Sequence, residues 1–168
     1  MTELESFRIG KNEFFAYHPQ SPLSQEQRKT FRGLNYFPEN ASLRLQVSLV
    51  QFHQSEELEM QTSTGDVQRF VKFGRIRFQV DGQEAELTIF QNDHGFFLPF
   101  VDSLAGTETY PAGRYLEPEA PPEGRWLVDF NLAYNPYCAY NDRWSCPIPP
   151  AENRLKVPIR AGEKLFKE

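Results

Sequence analysis

The segment RIRFQVDGQEAELTIF, residues 75–90, places Asp81-Gly82 between two runs in which apolar and polar residues alternate. Asp-Gly tolerates positive φ at both central positions of a type I′ turn, whose twist matches that of the strands it joins. Folding on that turn sets Phe78 opposite Ala85 and Ile76 opposite Leu87 on one face. Arg77 then falls opposite Glu86 on the other, an opposite-charge pair worth about 0.2–1 kcal/mol. A shift of one residue would send every apolar side chain to the wrong face. This hairpin therefore commits the chain to an antiparallel β core.

The flanking sequence supplies what packs around it. Residues 2–17 read as a helix with Leu4, Phe7, Phe14 and Phe15 on one side, weakened in the middle by Gly10. HPQSP (18–22) breaks the chain. Ser24 and Gln27 form a capping-box pair for a second, short helix that Gly33 can end. LNYFPEN is a loop anchored by Tyr36 and Phe37. From Leu43 the period changes to two: Leu43, Leu45, Val47 and Leu49 alternate with polar residues. Further strands are expected around Leu58–Thr62, Val71–Phe73, GFFLPFVD (with Pro99 at an edge or bend), TYPAGRYLE, GRWLVDFNL and RLKVPIRA, the last with Leu155, Val157 and Ile159 on one side. About eight or nine strands after two helices describe a mainly β chain. The expected architecture is one antiparallel barrel-like or sandwich-like domain over 1–168, with residues 1–35 as a helical arm and 43–168 as the β domain.

A chain of 168 residues with 39% hydrophobic residues, 15 of them Phe, can build a core without staples. Its formal charge of −5 and scattered Lys and Arg disfavour a phosphate backbone as partner, so nucleic-acid binding is not expected. The N-terminal MTELESFRIGKNEFF lacks a basic start followed by an apolar run, and no stretch of about 18 apolar residues exists to span a membrane. The expected location is the cytoplasm, where Cys138 and Cys146 stay reduced. His18, His53 and His94 have no metal-ligand spacing, two cysteines fall short of a zinc site, and no nucleotide-binding glycine loop is present. No metal or cofactor is expected.

Polar residues collect late in the chain. In RWLVDFNL, Trp126, Val128, Phe130 and Leu132 share the core face, and Asp129 and Asn131 point the other way. Either they bond locally in a turn or they orient a ligand at the mouth of the β domain. Arg114, on the short strand after Tyr110, needs a carboxylate if it points inward, and Asp129 is one choice. An Arg fork of that kind could also anchor a small polar or anionic ligand. The proline-broken stretch AYNPYCAYNDRWSCPIPP is irregular, with Tyr134, Asn135, Tyr137, Cys138, Tyr140, Trp144 and Cys146 as a lid or a ligand wall. Cys138 could act as a nucleophile if the fold brought a histidine close, His94 being the best placed.

Two stretches, FFLPFVDSLAGTETYPAGRYLE and VDFNLAYNPYCAYNDRWSCPIPPAENRLKVPIRAGEK, together with FFAYHPQSPLSQEQRKTFRGLNYFPENASLRL, resemble the signature segments of a bacterial and archaeal family, domain of unknown function 1684 (DUF1684). The similarity extends over nearly the whole chain. It implies motif positions at Asp102, Gly106, Thr109, Tyr110, Gly113, Arg114, Tyr115, Asp129, Asn131, Tyr134, Asn135, Cys138, Cys146, Asn153 and Gly162 among others, and no reaction. The leading expectation is a soluble small-molecule-binding protein whose polar pocket uses Arg114, Asp129, Asn131, Tyr134, Asn135, Tyr110 and Cys138. The alternatives are a hydrolase with Asp129 as base or Cys138 as nucleophile, and a protein-interaction module built on the tyrosine-rich loop.

Overall fold

A computed structural model describes residues 1–167. The expected hairpin is present as strands β3 (Val67–Val80) and β4 (Gln83–Asn92). Asp81 and Gly82 both take positive φ, 51° and 80°, as a type I′ turn requires. Ile76 pairs with Leu87, Phe78 with Ala85 and Arg77 with Glu86, in the register read from the sequence. Ile76 and Leu87 are sealed from solvent, each worth about 1.5–3 kcal/mol of burial.

Around the hairpin, β2 (Leu49–Gln61), β5 (Gly95–Phe100) and β6 (Arg114–Leu116) complete a five-stranded antiparallel sheet in the order β2-β3-β4-β5-β6. A second sheet pairs β1 (Arg44–Val47) with β7 (Trp126–Asp129). The fold is mainly β, with two antiparallel sheets and an N-terminal helix. The strands described here close no barrel. One core joins the sheets: Leu43, Val47, Trp126 and Val128 pack with Ile76, Leu87, Ile89 and Leu98.

Three expectations change. The alternating run from Leu43 is not one strand: it breaks at Ser48, where the chain leaves the small sheet and enters the large one. The regions around Phe73 and around Arg75–Val80 are instead a single strand, with a register shift between Lys72 and Gly74. RLKVPIRA is not a regular strand. Pro158 has no N–H to give a ladder, and the segment is tied by single bonds, Leu155 N–H to Val101 O (2.7 Å) and Ser103 N–H to Val157 O (3.0 Å). Val157 and Ile159 still enter the core.

The helices follow their caps. Thr2 and Glu5 form a capping box that starts α1 (Glu3–Tyr17), and Ser24 and Gln27 form one that starts α2 (Gln25–Thr30). α2 stops at Thr30, short of Gly33. The arm is seated by a separate apolar cluster of Phe15, Leu23, Leu34 and Tyr140. No helix among the described residues is long and apolar enough to cross a membrane.

Candidate functional site

Four residues of α1, Phe7, Gly10, Lys11 and Phe14, are spaced at helical intervals and form one stripe. Across from them run Tyr134, Pro136, Tyr137, Trp144, Ser145 and Cys146, with Tyr115 of β6 behind. Between the two walls lies a cleft of about 800 Å³, within the size range of small-molecule sites. Phe7, nearly half exposed at 48%, forms its outer lip.

The loop wall is irregular but tied down. Tyr137–Ala139 is a 3-10 turn opened by Pro136. Asn141 and Trp144 donate side-chain N–H groups to Pro22 O, and the Gln27 amide donates to Tyr140 O at 2.6 Å. On its far side the loop is gripped by the turn between β2 and β3. Ser63 N–H donates to Cys146 O (2.9 Å), and Cys146 N–H donates to Ser63 Oγ (3.1 Å). Asp66 accepts from Thr62, Thr64 and Ser145 hydroxyls, which hold its carboxyl down at about 2.

Beside the cleft sits an ion pair. Glu163, 1% exposed, accepts from Lys11 Nζ at 2.6 Å, from the Asn135 N–H at 3.1 Å and from the Tyr140 hydroxyl. Lys11 also lies over the Tyr134 ring, 4.9 Å from its centroid. The pair is locally neutral. Burial pushes the Tyr115, Tyr134 and Tyr137 phenols above their ordinary value, so these three rings stay uncharged well past neutral pH. The Tyr134 hydroxyl donates to Glu117 and the Tyr115 hydroxyl to Pro147 O.

The expected site residues separate into two groups. Tyr134 lines the cleft, and Cys138 adjoins it, with Tyr110 donating to Cys138 Sγ at 3.6 Å. Arg114, Asp129, Asn131 and Asn135 are used inside the fold. Arg114 is not paired with Asp129. Its guanidinium, 1% exposed, donates to the carbonyls of Ile159, Ala161 and Glu163, with Asp102 3.7 Å away. Burial lowers its pKa to about 10, opposed by the charges of Asp102 and Glu163. Asp129 does not continue a strand face either. Its carboxylate caps the next turn by accepting from Asn131 N–H (3.0 Å) and Nδ2 (2.9 Å), and its other oxygen lies 3.7 Å from Arg44. The strand therefore ends at Asp129, and Phe130–Leu132 forms a 3-10 turn. Leu132 is thrown outward, while Asn131 turns in and exchanges bonds with the backbone of Asn40. Asp-x-Asn bonds its own backbone readily, and here that outweighs alternation. Asn135 ties Lys164 O at 3.0 Å.

His94 is not the partner of Cys138. It lines a separate hollow of about 240 Å³ with Asn92, Glu117 and Tyr134, whereas the Cys138 sulfur sits among Cys146, Tyr110 and Ser63. Lys11 and Glu163 escaped the reading of the sequence, and Phe7 was read only as part of the apolar side of the first helix. The helical stripe was a usable signal, because a lysine at i+4 from an exposed Phe on the same face is poorly suited to a core. Nothing local marks Glu163.

The sequence model described as "Protein of unknown function (DUF1684)" matches residues 29–164. The chain belongs to the DUF1684 family. The solution NMR structure of an uncharacterized protein of Haloarcula marismortui is similar to it at 34% identity and a TM-score of 0.74, covering 99% of this chain and 94% of that one. Among curated proteins none matches. The DUF1684 match includes the loop wall and Glu163 but begins after α1, so the helical wall of the cleft lies outside it. The likeness to the haloarchaeal structure extends over that helix as well.

Proposed function

We propose that this DUF1684 protein binds a small molecule in the cleft between α1 and the tyrosine-rich loop. The observation that carries the reading is a hollow of ligand size walled by Phe7, Phe14, Tyr115, Tyr134, Tyr137 and Trp144. Because Lys11 is already neutralised by Glu163 at 2.6 Å, the site favours an uncharged or weakly polar, ring-bearing metabolite over the anion that a free lysine would select. Ser6, on the same face of α1, lines the cleft beside Phe7 and offers a hydroxyl for the ligand's polar groups. We read the two sheets as an open sandwich with this cleft at one side, and the protein as cytoplasmic.

A hydrolase reading at the same place lacks support from the groups in position. Asp129 is bonded into its own turn and Cys138 has no histidine beside it among the described residues. A thermal-shift screen of neutral aromatic metabolites tests the binding reading. A ligand at 100 times its dissociation constant adds about 2.7 kcal/mol of stability. The shift should fall away in Phe7→Ala, a change at a half-exposed position whose unliganded melting temperature should stay near that of the wild type. A screen in which nothing raises the melting temperature, or in which Phe7→Ala responds like the wild type, sinks the proposal.

A further inference from the structure

The chain has only two cysteines, and the fold brings both to the same place. The Cys138 N–H donates to Cys146 Sγ at 3.3 Å. That nitrogen is three bonds from the Cys138 sulfur, so the two thiols are neighbours. Neither is in a disulfide. Their roles differ by surroundings. Cys146 is buried, and its backbone is clamped on both sides to Ser63. Cys138 is partly exposed, sits on a 3-10 turn with no side-chain cap, and receives the Tyr110 hydroxyl at 3.6 Å. Cys138 is the more exposed residue and is supplied with donors, whereas Cys146 is buried and held at its backbone.

We propose that Cys138 and Cys146 form a thiol–disulfide exchange site at the edge of the cleft, with Cys138 as the attacking thiol, Cys146 as the resolving thiol and a low-molecular-weight disulfide as the oxidant. The Cys138 thiolate attacks one sulfur of the small disulfide RSSR, the S–S bond breaks, and RS⁻ leaves and takes up a proton. The mixed disulfide Cys138–S–S–R is then attacked by Cys146, which gives up its S–H proton and expels the second RS⁻, protonated in turn. The pair is oxidised by two electrons and RSSR is reduced to two RSH.

The electrostatics agree with this order. Hydrogen bonds from Cys146, then from Tyr110 and Ser63, bring the Cys138 thiol below its ordinary value against the opposing effect of its burial, and the shared proton pushes Cys146 up. Titratable neighbours facing the pair are Tyr110 and Tyr115, both raised by burial, and Asp142, whose charge acts on Tyr110. Tyr137 and Trp144 flank the two cysteines in the chain and wall the cleft, so bond formation reshapes that wall.

The test is equilibration of the reduced, full-length protein with glutathione buffers of increasing oxidised fraction, read by acid quench, alkylation and intact mass. The expected result is loss of two hydrogens and of both alkylatable thiols in a monomer whose circular dichroism is unchanged. In Cys146→Ser the reaction should stop at a glutathione adduct on Cys138, formed about tenfold faster than any adduct on Cys146 in Cys138→Ser. The proposal is overturned if both thiols stay alkylatable in the most oxidised buffer, if the bond forms only in urea, or if the two single variants acquire adducts at equal rates. The wild-type titration decides the matter even if a variant does not fold, and it needs no cleft ligand, so it stands or fails apart from the binding proposal.

Discussion

A guanidinium sealed from solvent must place its N–H donors inside the protein, and Arg114 does so on a run of three carbonyls from Ile159 to Glu163 with Asp102 as counter-charge. Asp102 is satisfied in turn by the Thr109 hydroxyl and the Ile159 N–H, both at 2.7 Å. Truncation by Arg114→Ala would strand a buried carboxylate and three acceptors. Urea unfolding should show a loss of about 3–5 kcal/mol, with Arg114→Lys recovering only part because an ammonium lacks the fork. Cys138 gives a second residue-level expectation. Its iodoacetamide alkylation should be half-maximal below the value of about 8.5 at which an unperturbed thiol titrates. Cys146→Ala should move the midpoint upward, since the Cys146 hydrogen bond is the largest cause of the shift, and Tyr110→Phe should do so less. A midpoint unmoved by Cys146→Ala would show that the contact is not the cause.

At the level of elements, the β2–β3 turn and the tyrosine-rich loop behave as one unit joined through Asp66. The folded carboxyl sits at about 2, below its ordinary 3.8. A depressed acid contributes stability that is complete above its unfolded value and is lost as pH falls through the folded one. The bonds to Thr62, Thr64 and Ser145 should therefore weaken between about pH 3.8 and pH 2, and amide exchange of the Ser145–Cys146 segment should rise over that window. In Asp66→Asn the step should vanish; a step that persists would place the titration elsewhere. Elements also show where sequence is readable. The hairpin was legible because turn chemistry, alternation and cross-strand charge all agree at Asp81-Gly82, and α2 because Ser24 and Gln27 bond reciprocally within one turn. The end of β7 was not, because alternation predicted a strand through Leu132 and the Asp129 carboxylate ended it by capping Asn131. Nor was Asn153, whose amide accepts from Thr88 N–H (2.9 Å) and donates to Thr88 O (2.9 Å) and Pro99 O (2.8 Å), standing in for ladder bonds that the β4–β5 pairing does not reach. Such a bridge depends on residues over 50 positions apart.

For the molecule as a whole, the fold class was available from the chain while the cleft was not, since its walls, α1 and the loop from Tyr134 to Cys146, lie far apart in sequence. Lys11 belongs to α1 and Glu163 to the closing segment, 152 positions later. Lys11→Met should remove a charge-assisted bond worth about 1.5–3 kcal/mol and lower hydrogen-exchange protection across α1 more than in β3 or β4. Equal loss everywhere would instead mean that the arm and the sheets unfold together.

That long separation also orders events in time. Lys11 of α1 is synthesised 152 positions ahead of its carboxylate partner, so the helix goes without that anchor until Glu163 has emerged. The closing segment acts as a latch: Gly162, held at φ 78° where a Cβ would strike Ala133 O at 2.6 Å, makes the bend that delivers both Glu163 to Lys11 and its carbonyl to Arg114. Seating of the arm and completion of the Arg114 carbonyl nest therefore share one bend, and a side chain at 162 would disturb both.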